Sequence, residues 1–268
     1  MESILDVFEQ QERREPAGAP ALAPVSEPVL APVRTITSDP GEQLVSLLSS
    51  ESFEANKYKV LRHRLEETRP NGGRGVIVVT SSGAGEGKTT TAINLAGALA
   101  QSKEVRVLLV DADLRLPDVP AQLGLRETGQ PGLADAIIDA RLPLEAVVCR
   151  RPPFDLSILT SGRHLSTPYE VLRSPRLGDL FEQARRAYDY IIVDTPPLLP
   201  VPDCRVIARW ADSVLLVVAA HRTPRRFLEE ALNALPQDKL AGLVFNSVDP
   251  PRPGPYAYYS GYGAPPVR

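Results

Sequence analysis

The stretch VIVVTSSGAGEGKTTT, residues 76–91, decides how the rest of the chain is read. An apolar run from Val76 to Val79 breaks into a loop of small residues that closes on Gly87-Lys88-Thr89. Apolar residues then return at helical spacing at Ile93, Leu95, Ala96 and Leu99. That order is strand, phosphate loop, helix. Glycines at 83, 85 and 87 let backbone N–H groups close on a polyphosphate without obstruction by Cβ, and the helix that follows turns its positive end to the same anion. In this reading Gly83, Ala84, Gly85, Glu86, Gly87, Lys88, Thr89 and Thr90 bind a nucleotide. Lys88 reaches its outer phosphates and the Thr89 hydroxyl meets a bound Mg2+. The pattern G-x-x-x-x-G-K-[ST] fails at its first position, where Ser82 stands five residues before Gly87; Gly83 beside it covers part of the loss.

Two further strands end in acids at the same rim. Asp111 and Asp113 follow the run Val107 to Val110 in VLLVDADLR, and Asp194 closes IIV in YDYIIVDTPP. A triphosphate carrying Mg2+ calls for carboxylates at this place, to position the cation or its waters. We expect Asp194 to position the metal, largely through water, with Thr89 and Asp113 also on the metal side. Asp111 and Asp113 share metal orientation and general-base duty, and their spacing does not say which takes which. A tyrosine phenol, with a pKa of about 10, would be helped by a carboxylate that accepts its proton as the new bond forms.

Outward from this centre, strands alternate with helices. The patterning predicts strands over 75–80, 105–110, 155–160, 189–193, 213–218 and 240–245. It predicts helices over 52–67, 133–138, 168–187, 202–210 and 224–235, with most of 114–150 as loop. The alternation implies an α/β fold, a parallel β-sheet flanked by helices whose ligands sit at the carboxyl ends of the strands. With the loop, that is a P-loop NTPase fold of the deviant Walker A type.

The 268 residues, 43% hydrophobic and 24% charged, can bury one sizeable core and carry tails. A net charge of −3 and a pI of about 5.7 give no overall basic field, so nucleic acid is not an expected partner. Cys149 and Cys204 stand singly, and His63, His164 and His221 are scattered. Neither a disulfide framework nor zinc spacing exists, and a reducing cytoplasm fits. No apolar run approaches the roughly 20 residues needed to span a bilayer, and the N-terminus lacks a signal-peptide layout. Work at a membrane would require something else to hold the protein there.

The ends differ from the middle, dividing the chain into 1–50, 51–248 and 249–268. Pro16, Pro20, Pro24, Pro28 and Pro32 recur every four residues, which forbids a helix, so 1–50 reads as a disordered or extended arm. Its first residues, Ile4, Leu5, Val7 and Phe8, fit either a short docking turn or a frayed terminus. From Asp249 the sequence becomes DPPRPGPYAYYSGYGAPPVR and holds four of the eight tyrosines, Tyr256, Tyr258, Tyr259 and Tyr262. Alone it would be a low-complexity tail; joined to a phosphoryl-transfer site it is a candidate substrate. Arg222, Arg225 and Arg226 are either a solvated helix start or a cradle for an acidic or phosphorylated tail.

TSSGAGEGKTT, VLLVDADLRLP, YDYIIVDTPPLLPVPD, DSVLLVV, LAGLVFNSVD and the tyrosine-rich end, in that order over residues 55–268, resemble the bacterial tyrosine kinases of capsule and exopolysaccharide assembly, in their stand-alone cytoplasmic form. The resemblance implies an ATP- and Mg2+-dependent tyrosine autokinase that phosphorylates its own tyrosine cluster. It also implies an integral-membrane copolymerase that recruits the kinase to the inner face of the membrane and activates it, homo-oligomers in which a tail reaches a neighbour's site, other protein-tyrosine substrates and a cognate phosphatase. Asn246 matches a position that contacts adenine in related nucleotide-binding folds. The family's Glu-x-x-Arg-x-x-Arg assembly motif is altered here to Asn56, Lys59 and Arg62, with Glu54 near enough to substitute. Two other functions share parts of this pattern. A positioning ATPase of the partition and division-site type would carry a Lys where Gly83 stands, and a regulatory subunit would bind nucleotide without transferring phosphate.

Overall fold

The computed structural model describes residues 41–68, 74–125, 129–151 and 156–248. The arm before residue 41 and the tyrosine cluster lie outside these residues. Seven strands form one sheet: β1 Gly75–Ser81, β2 Val107–Asp111, β3 Cys149–Arg151, β4 Leu156–Leu159, β5 Tyr190–Asp194, β6 Ser213–Ala219 and β7 Leu240–Asn246. Their order is β3-β4-β2-β5-β1-β6-β7. All neighbours pair in parallel except β3, which runs antiparallel to β4. The expected parallel sheet is therefore present, with an antiparallel edge that 149-CRR-151 gives no apolar run to announce.

Continuous apolar runs make the central strands because each is buried on both faces. Along β1, Val76 and Val78 join one core cluster while Ile77 and Val79 join the other, and β2 divides Leu108 and Val110 from Val107 and Leu109 in the same way. One face is covered by α1 Val45–Leu48, α2 Phe53–Thr68, α3 Lys88–Leu99 and α4 Val119–Gln122. The other carries α5 Leu133–Ile138, α6 Leu144–Val147, α7 Pro168–Leu172, α8 Pro175–Ala187, α9 Asp203–Ile207 and α10 Arg225–Ala234.

Two boundaries move. The Pro-rich arm does not extend to residue 50, because Leu44 is fully buried and Asn94 of α3 bonds this segment from both ends of its amide. Its Oδ1 accepts the Ser46 N–H at 2.9 Å and its Nδ2 donates to Gln43 O at 3.0 Å. The single helix expected over 168–187 is two helices. Ser174 takes an extended conformation before Pro175, as a residue preceding proline is biased to do, and its Oγ accepts the Arg176 N–H at 3.3 Å to start α8.

The altered assembly motif lies on α2. Lys59 pairs with Glu51 at 2.9 Å, and Arg62 with Glu66 at 2.8 Å and the Ala98 carbonyl at 3.2 Å. Both cations thus bond within this chain, while Asn56 is exposed. Among the described residues no helix is long and apolar enough to cross a membrane.

Candidate active site

The carboxyl ends of β1, β2, β5, β6 and β7 meet at one rim, and the phosphate loop occupies its middle. Gly85 and Gly87 have φ of 74° and 91°, a region where L side chains are strained. At Gly87 a Cβ would also lie 1.9 Å from Asn246 Nδ2. Asn246, at the end of β7, donates that amide to the Glu86 carbonyl at 3.1 Å. Glu86 turns inward, 7% exposed. Its carboxylate accepts from Ser82 Oγ at 2.9 and 3.0 Å, from the Gly83 N–H at 3.2 Å and from Thr223 Oγ1. Thr223, in the turn after β6, in turn accepts the Ala219 N–H at 3.0 Å. The loop is preshaped from two neighbouring strand ends, and Ser82, the residue that breaks the motif, is one of its braces.

Removing the Thr223 hydroxyl leaves a buried carboxylate short of a donor, which costs about 1–2 kcal/mol. Thr223→Val should therefore weaken Mg-nucleotide binding roughly tenfold by titration calorimetry, and Thr223→Ser should restore it. Unchanged affinity in the valine variant would remove Thr223 from the loop's support.

Lys88 opens α3 beside the acids. Its Nζ lies 3.1 Å from Asp113 Oδ2, 3.8 Å from Asp194 Oδ2 and 3.3 Å from Thr89 Oγ1. Thr89 Oγ1 donates to Asp194 Oδ2 at 2.8 Å. Asp111 is paired with Asp194 across the sheet but is fully buried. Its carboxylate accepts the N–H groups of Asp113 at 3.2 Å and Val119 at 3.3 Å, so it shapes the loop that carries Asp113. The same loop is pinned by Arg115, whose guanidinium forms a two-pronged pair with buried Asp203 at 2.7 and 2.9 Å.

Burial raises the Asp194 carboxyl to about 7, with Lys88 and Thr89 pulling the other way. Burial also lifts Asp111 well above the carboxylate range, helped by Asp194 and Asp113. Burial opposes the Lys88 ammonium, yet Asp194 and Asp113 outweigh it and hold Lys88 above its ordinary value. For Asp194 the sign is clear: the folded state holds the proton more tightly than the unfolded one. The fold therefore loses stability as pH rises from about 4 to about 7. Without nucleotide or magnesium, Asp194→Asn should raise the Tm relative to wild type by several degrees more at pH 8 than at pH 5. A difference independent of pH would contradict this assignment.

The residues fit a magnesium ion. Among the described residues Asp194 Oδ1 is buried with no hydrogen-bond partner, while Oδ2 of the same carboxyl meets Thr89 and Lys88, so the site holds an unsatisfied polar oxygen. Among the described residues no acid, His and Cys side chains form a chelating group of three or more.

Lys88, Thr89, Asp113 and Asp194 come together at this rim, with Asp111 behind them. Thr90 Oγ1 bonds Gln122 at 3.0 Å, and Asn246 bonds the loop at Glu86. Thr223, Arg115 and Asp203 were missed. Their partners lie 88 to 137 residues away, and Ser82's departure from the motif was the one local sign that the loop needed bracing.

The AAA domain family matches residues 74–235. The chain is 33% identical over 218 residues to the tyrosine-protein kinase YwqD of Bacillus subtilis, covering 81% of this chain and 90% of that one. It is 36% identical over 194 residues to the succinoglycan biosynthesis transport protein ExoP of Rhizobium meliloti, covering 69% of this chain but only 24% of ExoP. The solved VpsO kinase domain superposes with a TM-score of 0.65 at 32% identity, over 77% of this chain and 96% of that one.

Proposed function

Because the chain belongs to the bacterial tyrosine-kinase family and is a protein-tyrosine kinase on an AAA domain, we propose that it is an autokinase whose acceptors are its own Tyr256, Tyr258, Tyr259 and Tyr262. The observation that carries this reading is the convergence of Lys88, Thr89, Asp113 and Asp194 at one rim, on a fold shared with tyrosine kinases.

ATP phosphates would lie against the loop N–H groups and the start of α3. Lys88 would exchange Asp113 for the γ-phosphoryl oxygens, where a positive charge offsets charge spread in the transition state. Mg2+ held by Thr89, Asp194 and Asp113 would neutralise the β- and γ-phosphates. Asp113, freed from Lys88, would keep one oxygen on the metal side and accept the phenolic proton on the other. The phenolic oxygen forms the new P–O bond, the bond from γ-phosphorus to the β–γ bridging oxygen breaks, and ADP leaves. Asp111, spent on two backbone amides, orients Asp113. Asn246 borders the loop where adenine would lie.

From Asp249 to Tyr259 an extended chain reaches about 35 Å at roughly 3.4 Å per residue, enough for a neighbour's site. An integral-membrane copolymerase would recruit and switch on the kinase at the inner membrane face, in service of exopolysaccharide or capsule assembly. Support comes from ExoP, whose name concerns succinoglycan biosynthesis and transport and most of whose length lies beyond this chain. Gly83, where a positioning ATPase would carry lysine, disfavours that reading. Incubating the purified chain with Mg-ATP should produce phosphotyrosine on it, and more beside the cytoplasmic end of its activator; ATP turnover with none in either case would contradict self-phosphorylation.

A further inference from the structure

A group of arginines at the edge of the phosphate loop sits beside the end of β7. β6 and β7 end side by side, Ala219 opposite Asn246, and the Ala220 N–H donates to the Asn246 carbonyl at 2.8 Å. The turn after β6 and the start of α10 present Arg222, Arg225 and Arg226, all exposed. Arg225 pairs with Glu229 at 2.8 Å across an open surface, its side chain 91% exposed, an arrangement worth little in water. Arg226 lies over the Phe227 ring, 4.8 Å from its centroid. Arg222 makes one 3.4 Å bond, to the Gly85 carbonyl. None of these contacts uses the guanidinium donors as a buried ion pair would.

The segment after β7 is complementary to this patch in one state only. Residues 249–268 contain one acid, Asp249, and two bases, Arg252 and Arg268, so the unmodified segment offers the arginines no net negative charge. Each phosphotyrosine brings about −1.5 to −2 charges and three acceptor oxygens that suit the guanidinium fork. Eight residues, 249–256, span about 25 Å when extended, ample to return to a turn hydrogen-bonded to the strand end from which the segment leaves. Three arginines with Glu229 and Glu230 behind them on the same helix are fewer than the run of four to eight cations that holds a protein on anionic lipid.

We propose that Arg222, Arg225 and Arg226 form a docking site for the tyrosine-phosphorylated segment 249–268 of the same chain, so that the product of the reaction folds back beside the site. This inference rests on the autokinase reading, but its test does not need the kinase to work. Synthetic peptides of residues 249–268, with and without chemically installed phosphates on the four tyrosines, are titrated against the unphosphorylated full chain. The phosphopeptide should bind at least tenfold more tightly than the plain one, and at least tenfold more weakly to Arg225→Gln/Arg226→Gln, whose fold is checked by its melting curve. Added salt should weaken it. Full chain already phosphorylated on its tail should bind the peptide less, since its own segment competes. Equal affinities for the two peptides, equal affinities for the two proteins, or capture only of phosphatidylserine vesicles would each overturn the proposal. Failure to find phosphotyrosine after incubation with Mg-ATP, alone or beside the activator, would instead sink the autokinase reading and leave these affinities readable.

Discussion

Lys88→Met, incubated with Mg-ATP, should lose phosphotyrosine formation by a factor of at least about 100, the scale on which removing one charge-stabilising donor from a phosphoryl- or acyl-transfer site is felt. Among the described residues Lys88 is the one ammonium within 4 Å of both Asp113 and Asp194, and its partners hold it charged. Its loss removes transition-state stabilisation and also leaves Asp111, Asp113 and Asp194 facing each other with no cation. The variant should therefore melt lower than wild type at pH 8, with the gap narrowing toward pH 5 as the buried carboxyls take up protons. Phosphotyrosine assays are best read at a temperature well below its melting point. Near-wild-type autophosphorylation by a folded Lys88→Met protein would contradict the site assignment.

The second large effect concerns the tail. Replacing Tyr256, Tyr258, Tyr259 and Tyr262 together by Phe should abolish phosphoryl incorporation while leaving Mg-nucleotide affinity unchanged, since none of the four belongs to the loop. Full phosphorylation would add about −6 to −8 charges to a chain of formal charge −3, enough to override a modest contact between copies. Phosphorylated wild type should accordingly sediment as smaller species than the four-Phe protein. Equal association states in the two would refute a dispersing role for the modification, and persistent incorporation in the four-Phe protein would place the acceptors elsewhere.

What the sequence made legible follows from how locally each feature is encoded. β1, β2 and β5 are buried on both faces, so their apolar runs stand out, and the acids that end them fall where parallel strands must emerge. β3 is three residues with two arginines at an edge, and nothing in 149-CRR-151 separates it from loop. α1 is a single turn that exists because Asn94 and Leu44 tie it down, a tertiary cause with no periodicity of its own. The break at Ser174-Pro175 was visible in the residues, but the apolar spacing on either side reads through it. Thr223 and the Arg115–Asp203 pair are side chains that meet across more than eighty residues, a contact no window of sequence contains. Within the site itself, the sequence named Asp111 and Asp113 together, and only burial and amide bonding separate the one that shapes the loop from the one that reaches Lys88.

In the proposed reaction Lys88 leaves Asp113 for a terminal phosphoryl group while Asp194 takes up the cation. A crystal structure of the full chain with Mg2+ and a non-hydrolysable ATP analogue tests this directly. Lys88 Nζ should lie within hydrogen-bonding distance of a γ-phosphoryl oxygen, with Asp194 Oδ1 engaged by the metal or one of its waters and an Asp113 oxygen open to an incoming phenol. A nucleotide bound away from the 82–89 loop, or one bound there with Lys88 still on Asp113, would contradict it.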